Sequence, residues 1–118
     1  MRRGVAGKSA PVRDGPRKGE DLSKLVLLAE HRLEKVSLTV VCEPKLIGKT
    51  LGKHFKVDAG YFGGEPVTVE YALNVASTSL IATFLGNTIV ELAVRAGLVD
   101  PAAVTEFGGV KYAEVYRL

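Results

Sequence analysis

Residues 25–42 read LVLLAEHRLEKVSLTVVC, and whether they form one helix or two strands decides the fold class. The second half is rich in β-branched side chains, Val36, Thr39, Val40 and Val41, which suit a pleated surface. The first half, Leu25 to Ala29, is a short apolar run of strand length. His31 to Lys35 is a polar link of the length that joins antiparallel strands. The competing reading is a helix from Leu25 through Lys35. Leu25, Leu28, Ala29 and Arg32 fit a helical face only in part, so an N-terminal hairpin is the better reading.

Downstream the periodicity changes. His54 to Asp58 reads as a short strand, and Ala59 to Pro66 as a loop with a Gly63-Gly64 turn. Val69, Ala72, Leu73 and Ala76 fall at i, i+3, i+4 and i+7, the buried stripe of a helix. Ser77 to Ser79 should end it, because these hydroxyls compete for backbone hydrogen bonds. Leu80 to Leu85 is a short apolar piece, strand or buried loop. A second helix follows, with Asn87 as its expected cap and Ile89, Leu92, Ala93 and Ala96 on one face. Gly97 and Leu98 suit its C-terminal closure. Asp100-Pro101 has the form of a cap and first position of a helical turn. The end is a second hairpin: Val104 to Phe107, a Gly108-Gly109 turn, then Val110 to Tyr116. Val110, Tyr112 and Tyr116 share one face of the last strand; Lys111, Ala113, Val115 and Arg117 share the other.

Hairpins at both ends and helices between them predict a single α+β domain over residues 23–118. Its sheet should be mixed or antiparallel, with two main helices on one face. At 118 residues and 47% hydrophobic content the chain supports one modest core. No apolar run approaches the length of a membrane span, and no signal sequence is read. The single cysteine, Cys42, excludes an internal disulfide, and a reducing cytoplasmic setting is expected.

The charge is uneven. Residues 1–22 hold six basic and three acidic residues, the whole of the formal +3. With Pro11, Pro16, four glycines and few apolar residues, this segment is expected to be a flexible basic arm. Arg2, Arg3, Arg13, Arg17 and Lys18 are candidate phosphate contacts.

The stretch EPKLIGKTLGKHFK, residues 43–56, ends its first half like a phosphate-binding P-loop. That loop needs a glycine where Glu43 stands, and Pro44 removes a backbone donor. Nucleotide hydrolysis is therefore set aside. From Pro44 to Val57 there is no acidic residue, but there are Lys45, Lys49, Lys53, Lys56 and His54. These lysines are the candidate phosphate-contact patch of the folded part, with Phe55, Tyr61 and Phe62 available for stacking. A helix would align Lys45, Lys49 and Lys53, although Gly48 and Gly52 oppose one. Tyr61, Phe62, Gly63, Gly64 and Glu65 form a candidate binding loop. Cys42, His31 and His54 lack metal-ligand spacing, so neither metal nor cofactor is expected. A Cys42–His54 nucleophile pair is conceivable only if the fold brings the two together.

The strings VCEPKLIGKTL, YFGGE, ATFLGN, AGLVDPAAV and FGGVKYAEVYRL occur in the order and spacing of a small archaeal family, the domain of unknown function family 424. The chain resembles that family from about Lys24 to Leu118. It departs at Thr83, where the family tends to have Asn, and at Lys111-Tyr112-Ala113-Glu114, where it tends to have Pro-His-Ala-Gln. The resemblance implies a compact α+β domain, an archaeal cytoplasmic setting and an association with translation, but no reaction. The expected function is non-catalytic RNA binding or association with the ribosome. The alternative is a protein-interaction module using the Tyr61–Glu65 loop or an exposed sheet edge. A small enzyme is the third, and it would need a concave pocket with converging titratable groups.

Overall fold

The computed structural model describes residues 25–117. The opening stretch forms two strands, β1 (Val26–Leu33) and β2 (Val36–Cys42), paired antiparallel from Leu27↔Cys42 to Leu33↔Val36. The strands run further than the polar link suggested. Glu30 and Arg32 are exposed and do not interrupt β1, because a strand that buries alternate residues tolerates charge on the others. The turn is Glu34-Lys35, with Glu34 at φ 52°.

Beyond Cys42 the chain makes an excursion. A 3-10 turn at Pro44–Leu46 leads into a small hairpin of β3 (Thr50–Leu51) and β4 (Phe55–Lys56). The predicted loop at Ala59 to Pro66 is not irregular. It contains one helical turn, α1 (Ala59–Phe62), and an edge strand, β5 (Glu65–Val67), paired with the start of β1. The local Gly-Gly signal masked these, because β5 is stabilised only by its neighbour in space. Helix α2 (Val69–Ser77) follows, capped by the Thr68 hydroxyl on the Tyr71 N–H. Strand β6 (Ile81–Leu85) lies parallel to β2. Helix α3 (Asn87–Arg95) closes with paired bonds from Gly97 N to Val94 O and Leu98 N to Ala93 O. A 3-10 turn at Pro101–Ala103 is capped by Asp100, and the chain ends in β7 (Thr105–Phe107) and β8 (Val110–Tyr116).

The main sheet has six strands in the order β5-β1-β2-β6-β8-β7, mixed because β2 and β6 alone are parallel. Each face carries its own core. Helices α2 and α3 cover one, packing Ala72, Ala76, Ile89, Val90 and Ala93 against Val26, Val41, Phe84 and Ala113. The 44–62 excursion covers part of the other, seating Leu46, Leu51, Val57 and Phe62 on Leu38, Val40, Cys42 and Leu85. Among the described residues no helix is long and apolar enough to cross a membrane.

Candidate nucleic-acid interface

The lysine-rich stretch is not helical. Its backbone folds on itself through Gly48 N to Val57 O, Lys49 N to Leu46 O and Val57 N to Lys49 O. Leu46, Leu51 and Phe55 turn inward, and the lysines around them are carried on the outside of the excursion. Lys45, Lys49, Lys53 and Lys56 are all exposed, as is His54. Among the described residues none of the four lysines forms an ion pair. They are held on one small lobe by a buried apolar anchor rather than aligned on a helix face.

The aromatic residues behave differently from a stacking platform. Phe62 is 5% exposed. Phe55 is half-buried in a cluster with Phe62, Phe107 and Tyr112, with ring centroids 4.4–5.8 Å apart. Tyr61 stacks on His31 at 4.9 Å with planes 5° apart, and its carbonyl lies 2.8 Å from His31 Nε2. Gly63 and Gly64 press against the backbone of Ala59 and Leu28, and Glu65 opens β5. The Tyr61–Glu65 string is thus a packed junction onto the sheet. Arg2, Arg3, Arg13, Arg17 and Lys18 lie outside the described residues.

Where a P-loop would cradle phosphate, the chain places a carboxylate. The parallel ends of β2 and β6 bring Glu43 beside the N-terminus of α3, with Glu43 N bonded to Leu85 O at 3.1 Å. Helix N-termini in such positions bind phosphate. Here the Glu43 carboxylate occupies that position itself. Its Oε2 accepts from Thr88 N at 2.8 Å and Ile89 N at 3.0 Å. Glu43, not Asn87, therefore supplies the cap. Asn87 is the first helical residue, and its side chain instead ties α3 to the last hairpin, accepting from Lys111 N at 2.7 Å and donating to Gly109 O at 3.2 Å. Local sequence could not signal this, because the capping carboxylate comes from 45 residues earlier.

Cys42 is wholly buried, and its thiol is pushed up to about 12, first by burial and then by the charge of Glu43. It points its Sγ at the Glu43 carbonyl, 3.4 Å away. A thiol held protonated is no nucleophile. No group of three or more metal-ligating side chains occurs among the described residues. An open groove of about 600 Å³ between α3 and β7 contains Val90, Val94, Arg95 and Thr105, with Glu91 and Lys111 paired at 3.4 Å. Its described lining offers no imidazole or thiol.

A second polar grouping lies on the sheet face shared with the excursion. Thr83 stands opposite Glu114, Leu85 opposite Tyr112 and Ile81 opposite Tyr116. The Tyr116 hydroxyl donates to Glu114 Oε1 at 3.2 Å. Burial chiefly holds the Tyr61 and Tyr112 phenols protonated above their usual range, with the Glu114 carboxylate adding to it. For exposed Tyr116 the carboxylate is the main cause. Thr83 is fully buried. Its hydroxyl lies near enough to Tyr61 to oppose that phenol's shift, yet it makes no well-formed hydrogen bond. The alternation along β8 had put Tyr112 and Tyr116 on one face; the sheet register adds Thr83 and Glu114, two of the positions where the chain departs from the resemblance described above.

No functionally curated protein matches the chain. A solved structure described as an uncharacterized conserved protein from Methanopyrus kandleri is similar in fold, with a TM-score of 0.66 and 22% identity. The match covers 80% of this chain and 92% of that one. Residues 31–118 match the family described as "Protein of unknown function (DUF424)", beginning at His31 rather than near Lys24. That match takes in most of both cores and every strand from the end of β1 onward, and the chain belongs to the DUF424 family.

Proposed function

We propose that this protein is a non-catalytic RNA-binding or ribosome-associated protein of the archaeal cytoplasm. Lys45, Lys49, Lys53 and Lys56 on the β3–β4 lobe would neutralise phosphates, helped by the basic residues of the arm. The observation that carries this reading is the lobe itself. Four exposed lysines share it, no carboxylate interrupts them between Pro44 and Val57, and none is ion-paired among the described residues. An anchored lobe with unneutralised charge releases counterions when it meets a polyanion, and that release drives sequence-independent binding. The buried aromatics favour backbone contact over base stacking.

The test is binding of archaeal ribosomal RNA across a salt series. The wild type is compared with a variant carrying Lys→Gln at all four positions. Affinity should fall steeply with salt, and the variant's log–log slope should be shallower by roughly 0.7 for each phosphate it no longer neutralises. Equal slopes, or no binding by the wild type at low salt, would remove the proposal.

A further inference from the structure

Glu114 is half-buried on the sheet face; its carboxylate accepts from a phenol in an exposed contact and has no ion-pair partner among the described residues. Across the strand pair, on β6, stands fully buried Thr83, whose hydroxyl is unsatisfied among the described residues. Beside the carboxylate the ring of Tyr116 is 58% exposed. Among the described residues this arrangement lacks a cation.

The backbone next to it is equally incomplete. Lys111 O accepts from Gly86 N, and Arg117 N donates to Leu80 O, so the odd-numbered residues of β8 turn their peptide groups toward β6. The even-numbered residues turn outward. β7 meets that outer edge only as far as Tyr112. The outward N–H and C=O groups of Glu114 and Tyr116 have no backbone partner among the described residues.

We propose that this edge of β8, unpaired among the described residues, takes an extended segment of a partner protein, with an arginine of that segment opposite Glu114. Strand addition supplies the main-chain bonds. A directly opposed side chain lies about 5 Å away between Cβ atoms, on the same face. A guanidinium there pairs with the carboxylate in a planar fork and lies on the Tyr116 ring. Lysine provides only a point charge. A nucleic-acid strand is disfavoured, because the carboxylate repels phosphate. The lysine lobe plays no part in this contact, so either proposal can fail without the other.

The chain lacks tryptophan and has four tyrosines, of which Tyr61, Tyr112 and Tyr116 surround this site. Tyrosine fluorescence therefore reports on it directly. The probe is a blocked pentapeptide, TVRVT, titrated into the full chain, with amide shifts followed by NMR. A saturable change is expected, with shifts at the Glu114 and Tyr116 amides. Replacing the peptide's arginine by citrulline should weaken binding about tenfold or more, as should Glu114→Gln, and the two changes together should cost little beyond either alone. The proposal is overturned if binding is absent, if citrulline binds as well as arginine, if the shifts map elsewhere, or if an RNA oligonucleotide displaces the peptide from those amides. The citrulline arm needs only the wild-type protein, so it decides even if Glu114→Gln fails to fold.

Discussion

Glu43 shows how one side chain can carry several duties. It follows β2, borders the buried thiol of Cys42 and satisfies two of the free N–H groups at the start of α3. Its methylenes fill the space beside Gly86, where an added Cβ would lie 2.4 Å from the carboxyl carbon. Gly86 also sits at φ 132°, so both room and backbone angle demand glycine. Glu43→Ala should lower stability by about 2 kcal/mol in urea unfolding, since it removes the cap and strands the buried N–H of Ile89 and the part-buried N–H of Thr88. Glu43→Gln keeps an acceptor and should cost less. Cys42 makes a prediction in alkali. Its thiol has an ordinary value of 9.0 and a folded value of about 12, so the folded state holds its proton longer. Below pH 9 both states are protonated and the thiol contributes no pH dependence. Between pH 9 and about 12 the unfolded state has lost more protons, and stability should fall by about 1.4 kcal/mol per pH unit. Cys42→Ala should flatten that fall around pH 9, where tyrosines of the unfolded chain, with an ordinary value of 10.0, are still mostly protonated. Unchanged slopes in equilibrium unfolding would refute the assignment.

Among elements, the informative contact is between two turns. The Gly108-Gly109 turn closes β7 onto β8 with φ of 57° and 82°, the pattern of a two-residue hairpin turn with positive φ at both central positions. The first of these glycines also abuts the lysine lobe: a Cβ on Gly108 would lie 2.4 Å from the Gly52 backbone nitrogen. A Cβ on Gly109 meets nothing within 4 Å. Both alanine variants bear the backbone strain, about 1–2 kcal/mol. Gly108→Ala adds a collision between backbones, so it should be clearly the less stable in thermal unfolding and should shift the amides of Leu51 to Lys53. Equal stabilities for the two variants would show that the turns do not bear on each other. A comparable tie joins β8 to α2, where Arg117 Nη1 donates to Ala76 O and Ser79 O at 2.9 and 2.6 Å. It places a cation at the helix's C-terminal carbonyls, where the macrodipole favours it.

At the scale of the molecule, the two sheet faces divide the work. Helices α2 and α3 complete one core, and the excursion half-covers the other while presenting its lysines. Deleting residues 1–22 should flatten the salt dependence of RNA binding further than the four lysine substitutions alone, because it removes six more cations against three carboxylates. A deletion that leaves the salt slope unchanged would exclude the arm from the interface.

Much of this architecture was legible before folding. The β-branched run in Val36–Cys42, the i, i+3, i+4, i+7 stripe of α2, the Gly97 closure of α3 and the Gly108-Gly109 turn are local signals, since each depends on backbone preferences or on a period of two or 3.6 residues. Local chemistry also excluded a P-loop, and it marked the lysines as one charged stretch. What the tertiary structure alone decided was every relation between distant residues: the β5 edge strand, the burial of Phe62, the Glu43 cap on α3, the meeting of Gly52 with Gly108, and the gathering of Tyr61, Thr83 and Glu114. These depend on which strands become neighbours and in what register. That choice is made by the joint burial of two cores, and no short window of sequence contains it.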